Sequence, residues 1–293
     1  MYSYKTAEDL LKSVDRTGDS LINVIIKAEY EDKGTEKTFL LESMNRCWEV
    51  MQESASRGLN DTPLSMGGLI GSNGAKLNRY SEKSPLCGFL AVKAAAYALA
   101  ITEVNASMGK IVAAPTGGAS GILPGIMLAM AEQFSYKNET VIEALLVAGA
   151  IGRIISTRTG LSGAEGGCQT ECGVGAAMGA GAAVFLQGGS PRAIFNAAAL
   201  TIKNVLGLVC DTVAGLVEVP CSKRNAMGVA YGLMAADMAL SGIESVIPLD
   251  ELAVALKKVG ESIPVALRET GLGGCAATPT GIKVKRELEK TKL

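Results

Sequence analysis

With 293 residues, of which 48% are apolar and 19% charged, the chain has enough apolar material for a substantial core and reads as globular. A net charge of −1 gives no electrostatic reason to bind nucleic acid or an anionic membrane, and neither is expected as a partner. The absence of histidine excludes Ser-His-Asp triads, Cys-His pairs, HExxH zinc sites and an imidazole general base, so catalysis must use thiolates, carboxylates, lysines, hydroxyls, a metal cofactor or a partner's groups.

Residues 1–60 are denser in charge than the rest. Thr6-Ala-Glu-Asp9 reads as a capping box opening an amphipathic helix, and Phe39, Leu40, Met44, Trp48 and Met51 fall at helical spacing in a second helix, Thr38 to Gly58. This predicts a charged N-terminal helical layer on the outside of a main catalytic domain, residues 61–293. From Pro63 onward, long Ala, Gly, Leu and Met runs are broken by glycine loops, notably Ser65–Gly74 and Pro115–Gly121. Neither loop matches GxxxxGK[ST] or a strand-preceded GxGxxG, which argues against a nucleotide. Asn138 is placed to cap a helix through Ile151. The uncharged stretch Cys172–Pro191 is long enough to span a membrane, but its Gly and Ala content predicts a buried core helix of about 14 residues. Ser190-Pro191 opens a helix to about Asn204, Ser222 is placed to cap Lys223–Leu240, and Asp250 starts a helix that stops near Lys258 and Gly260. Lys283–Lys292, with Glu287 and Glu289 among its cations, reads as a solvated terminal helix.

Period-two patterns are scarce and aromatics make up 4% of the chain, so the prediction is all-α: a compact helical catalytic domain with small-residue helix packing. The odd count of seven cysteines and the charged N-terminus point to a cytoplasmic location with free thiols. Cys168 and Cys221 fall at predicted helix N-termini, where exposed N–H groups favour a thiolate, and Cys210 lies in the loop between two helices. From spacing alone, metal ligation and plain burial are both open. Zinc fits less well, because short CxxC pairs and an HxE motif are both absent. Cys172 shares a helix face with Cys168, while Cys47, Cys87 and Cys275 have no partner pattern and are assigned structural roles.

Five motifs together resemble the α chain of bacterial two-subunit iron–sulfur-dependent L-serine dehydratases. They are GLVCDTVAGLVEVPCSKRNA (207–226), SGAEGGCQ (162–169), EVNASMG (103–109), APTGG (114–118) and RETGLGGCAATPTG (268–281), and the likeness covers roughly residues 60–285. The resemblance implies a [4Fe–4S] cluster held by Cys168, Cys210 and Cys221, with one iron free of cysteine and no pyridoxal phosphate. It implies dehydration of L-serine, the open iron acting as Lewis acid on the β-hydroxyl, to give pyruvate and ammonia. A β subunit is the implied partner and a small amino acid the implied substrate. Backbone N–H groups of the two glycine loops suit a substrate carboxylate, which makes Gly67, Gly68, Asn73, Thr116, Gly117 and Gly118 candidate substrate-binding residues; glycines serving helix packing explain each loop equally well. Ser162 and Gln169 join them. Lys203, Asn204 and Glu165 are the catalytic candidates, without an assigned base, and Arg268 is a further polar candidate.

Against the family pattern, Thr212 stands for a proline, Ala119 for a serine, Ser72-Asn73 for Gly-Asp, and Arg158-Thr-Gly160 for Asn-Ala-Ser. The departures fall near the substrate loops. They leave open another small substrate, such as L-cysteine, L-threonine or a β-hydroxy acid. A non-catalytic cluster-bearing subunit is the remaining alternative, favoured if Cys172 or Cys275 supplies a fourth thiolate.

Overall fold

The computed structural model describes residues 2–291; Met1, Lys292 and Leu293, which the domain limits and the basic terminal segment include, lie outside the described residues. Among those described are thirteen α-helices: α1 (Ala7–Thr17), α2 (Leu21–Lys33), α3 (Lys37–Asn60), α4 (Asn73–Ser81), α5 (Gly88–Ala106), α6 (Ile122–Phe134), α7 (Asn138–Ser156), α8 (Gly163–Gly166), α9 (Cys168–Leu186), α10 (Pro191–Val205), α11 (Cys221–Leu240), α12 (Leu249–Ser262) and α13 (Pro279–Thr291). The fold is all-α, as its composition predicts. The strand-like pairing among these residues is one isolated parallel bridge, Cys210 with Arg268.

The centre of the molecule is α9. It is buried along nearly its whole length and packs against α6, α7, α10 and α11. Its small residues allow this: a Cβ on Gly179 would stand 2.6 Å from Ile126 Cδ1, and one on Gly181 2.1 Å from Ile151 Cδ1. The sequence reading finds this core helix but makes it too short, since it runs 19 residues and starts at Cys168. The second long apolar helix, α5, is long and apolar enough to cross a membrane by length and composition. Its most apolar window is 61% buried, however, and it packs against α3, α4, α6 and α11 as a core helix does.

The N-terminal helical segment opens on the predicted capping box, with Thr6 Oγ1 accepting from Asp9 N and Asp9 Oδ2 accepting from Thr6 N, both at 3.0 Å. It is fastened to the body by charge. Arg153 of α7 pairs with Glu29 at 2.8 Å and with Asp32. The Asp250 carboxylate accepts from Ala7 N at 2.8 Å and Glu8 N at 3.2 Å, so it caps α1 from across the molecule. Tyr4, Leu10, Val24 and Trp48 share one apolar core with Ile151, Val184 and Leu256.

Two predicted caps differ from the structure for a local reason. Asn138 accepts from Trp48 Nε1 at 3.2 Å, leaving Lys137 at the cap position of α7. Ser222 lies inside α11, its hydroxyl donating to Glu218 O at 3.0 Å, and the helix begins at Cys221.

Candidate metal centre

Two helix starts and one loop bring the buried cysteines together. Cys168 opens α9, Cys172 lies one turn along it, and Cys221 opens α11. Cys210 is fixed by its bridge: its N–H donates to Leu267 O at 2.8 Å and its carbonyl accepts from Glu269 N at 2.7 Å. All four are at most 3% exposed. Ligand atoms of Cys168, Glu171 and Cys210 lie within 4.8 Å of one another, close enough to hold a metal. Cys221 is outside that tight group but near enough to feel the Cys168 charge. Backbone approaches closely here: a Cβ on Gly163 would stand 2.8 Å from Cys210 Sγ and 3.3 Å from Glu269 Oε2.

The charges are uneven. Hydrogen bonds accepted from Cys172 and Cys210, then the Arg224 charge, draw Cys168 toward thiolate against the effect of burial. Donation to Cys168 and burial push Cys172 and Cys210 the other way, and burial does the same to Cys221. Arg224 Nη1 lies 3.5 Å from Cys168 Sγ and 2.8 Å from Asp211 Oδ1. Burial pushes the Glu171 carboxyl up to about 7, opposed by a hydrogen bond from Thr116 Oγ1. The half-buried carboxylate of Glu269 faces the same thiols.

Of the predicted substrate groups, Thr116, Gly117 and Gly118 adjoin this pocket. Thr116 donates to Glu171, a Cβ on Gly118 would meet Glu171 Oε1 at 2.5 Å, and Gly117 O accepts from Asn105 Nδ2 at 3.1 Å. In the other loop the amides already have internal acceptors. Gly67 N and Leu69 N donate to Glu218 at 2.7 and 3.1 Å, and Asn73 N and Nδ2 both donate to Glu103 at 2.8 Å. Gly68 N donates to Ser65 O at 2.9 Å. Both ends of Gln169 are engaged, Nε2 with Leu256 O at 3.0 Å and Oε1 with Gly207 N at 2.8 Å. Ser162 caps α8, accepting from Glu165 N at 3.3 Å. Lys203 and Asn204 are exposed on the last turn of α10, and Glu165 is exposed over Gly160. Cys87 and Cys275, read as structural, are exposed, and Cys47 is half-buried.

Sequence reasoning missed Glu171, Arg224, Asp211 and Glu269. Glu171 had a signal, since it lies three residues from Cys168 on one helix face. The donor set fits the cluster that the motifs imply: several buried sulfurs, a neighbouring cation, and three buried polar atoms without a protein partner, Thr212 Oγ1, Tyr231 Oη and Arg268 Nε. Arg268 is the bridge partner of Cys210, Thr212 lies two residues past Cys210, and Tyr231, buried, is near enough to the thiols to feel the Cys168 charge.

Fold and site together define an all-helical protein with a buried, metal-competent thiol pocket edged by a glycine loop. More particularly, the chain belongs to the serine dehydratase alpha chain family, whose sequence model matches residues 16–276. It is 44% identical over 289 residues to the probable L-serine dehydratase, alpha chain, of Bacillus subtilis, covering 98% of this chain and 94% of the relative. It is 41% identical over 287 residues to the L-serine dehydratase, alpha chain, of Peptoniphilus asaccharolyticus, covering 97% and 98%. It is also 36% identical over 283 residues to L-serine dehydratase 2 of Escherichia coli, where 94% of this chain spans 62% of the relative.

Proposed function

We propose that this chain is the cluster-bearing α subunit of a two-subunit, cytoplasmic L-serine dehydratase, a carbon–oxygen lyase that converts L-serine to pyruvate and ammonia. The observation that carries the reading is the convergence of Cys168, Cys210 and Glu171 within 4.8 Å, beside the Thr116–Gly118 loop, in a chain of this family. Cys168, Cys210 and Cys221 would hold a [4Fe–4S] cluster. When bound, an iron without a thiolate supplies Lewis acidity toward a hydroxyl leaving group.

The chain's own residues prepare the surroundings. Cys168 is the thiol already drawn toward the anion a metal requires. The Thr116–Gly118 loop sits against Glu171, so a carboxylate and backbone amides border the space beside the thiols. Burial of Cys168, Cys172, Cys210 and Cys221 keeps water from the sulfurs. Glu171 and Glu269 are the carboxylates that face them.

Anaerobic reconstitution followed by iron and sulfide analysis tests the cofactor, and pyruvate release from L-serine in the presence of the partner subunit tests the reaction. Zinc in place of iron, no metal at all, or full activity after Cys210→Ala would each sink the reading. A second reading rests on Cys172, which donates to Cys168: a closed four-thiolate cluster in a non-catalytic subunit. Loss of one iron per chain in Cys172→Ala would favour it. An unchanged iron count favours the open cluster.

A further inference from the structure

Arg224 and Asp211 remain after the ligands and loop residues are accounted for, and their contacts join four segments. Arg224 lies three residues after Cys221, on the same face of α11. Its Nη1 reaches Cys168 Sγ of α9 at 3.5 Å and donates to Val209 O, next to Cys210, at 2.9 Å. Its ion pair with Asp211 Oδ1 is 2.8 Å long, and its side chain is 18% exposed against 4% for Asp211. Asp211 Oδ2 in turn accepts from Cys275 N at 2.6 Å, which ties in the loop before α13. All three contacts fall on the one nitrogen, Nη1, whose two N–H bonds the planar guanidinium holds in fixed directions; a lysine ammonium carries the same charge on a flexible stem and fixes no such direction.

We infer that Arg224 is the positioning residue of the thiolate centre: it holds Cys168, the Cys210 segment and the start of α11 in register and compensates the negative charge of the bound cluster, with Asp211 fixing its orientation. The inference rests on the cluster reading above. Hydrogen bonds to cluster sulfurs and net local charge set both the retention and the reduction potential of iron–sulfur centres. A cation 3.5 Å from a ligand sulfur acts on both. The two contributions are separable, because the register depends on where Nη1 and its N–H bonds are placed and the charge compensation does not.

The experiment uses the full-length chain, reconstituted anaerobically with iron and sulfide, as wild type, Arg224→Gln, Arg224→Lys and Asp211→Asn. The readouts are iron retained against a competing chelator, midpoint potential from a spectroscopic redox titration, and far-ultraviolet circular dichroism as the folding control. Arg224→Gln is expected to hold iron about tenfold more weakly, in line with losses of supporting residues around metal sites, and to shift the potential to more negative values. Arg224→Lys is expected to return the potential toward wild type while retention stays weakened. Asp211→Asn keeps the cation and removes its anchor, so retention weakens and the potential moves positive, the direction opposite to Arg224→Gln. Wild-type retention and potential in folded Arg224→Gln would overturn the inference and leave the cluster reading intact. If Arg224→Gln does not fold, Arg224→Lys decides: weakened retention supports the inference, and wild-type retention overturns it. Failure of the wild-type chain to load iron and sulfide overturns the cluster reading itself, and this inference with it.

Discussion

Gly163 shows how little room a side chain has near the thiols. A methyl group there would lie 2.8 Å from Cys210 Sγ, closer than real Cβ atoms approach, and 3.3 Å from Glu269 Oε2. The Glu269 carboxylate is the far end of a flexible side chain and can swing away, but Cys210 Sγ is one atom beyond a Cβ whose backbone is held by the bonds to Leu267 O and from Glu269 N, so it has little room to retreat. Gly163→Ala is therefore expected to leave helix content unchanged and to lower iron retention after anaerobic reconstitution, by about tenfold as for other disturbances around a metal site; wild-type retention would show that the pocket can relax. The cysteines themselves were legible in sequence because their flanking motifs are specific. The groups around them were less so. Gln169 reads as a substrate contact from its motif, yet its amide bonds Leu256 O and Gly207 N, partners contributed by segments distant in sequence. Arg224 and Asp211 were visible only as letters in a motif, since their meeting depends on how the loop before α11 folds back.

At the scale of helices and loops, buried carboxylates anchor the glycine loop that the sequence offered as a substrate site. Glu218, 2% exposed, accepts from Ser65 Oγ, Gly67 N and Leu69 N, and fully buried Glu103 accepts from Asn73 and Gly74. Glu218→Ala would strand three donors at once. The expected loss is about 3 kcal/mol, the scale of broken hydrogen bonds to a charged group, read as a lower midpoint in chemical denaturation. A different element contact should affect stability alone. Gly74 of α4 lies against α5, where a Cβ would meet Ala100 N at 2.6 Å, so Gly74→Ala is expected to cost about 1–3 kcal/mol of overpacking without changing iron per chain. Helices α1, α3, α7 and α9–α13 were legible from periodicity, caps or composition, whereas α2, α4, α5, α6 and α8 were not read from sequence. Helix ends were less legible wherever a cap-type side chain found a tertiary partner, as Asn138 does in Trp48, or bonded back to the loop before its helix, as Ser222 does to Glu218 O.

For the whole molecule, the decisive question is whether this chain suffices for turnover. The two α-chain relatives are matched over 94% and 98% of their length, whereas the L-serine dehydratases of Streptomyces coelicolor and Escherichia coli, named without a chain designation, are matched over 61% and 62%. Those longer relatives carry a further region that this chain does not match, and a two-subunit enzyme would supply it as a separate polypeptide. With no histidine, this chain itself supplies no imidazole for proton transfer at neutral pH. The expected outcome is that the reconstituted chain alone holds iron and sulfide but releases no pyruvate from L-serine. Adding the partner subunit under anaerobic conditions should produce activity that rises with partner concentration and saturates at a fixed ratio. Full turnover by the isolated chain would refute the division of labour and place every catalytic group among the carboxylates and hydroxyls around Cys168. If L-serine is inert with both subunits present while L-threonine or L-cysteine is consumed, the partnership stands and the substrate assignment falls, which would direct attention to Thr212, two residues past Cys210, and to Ala119, next to Gly118.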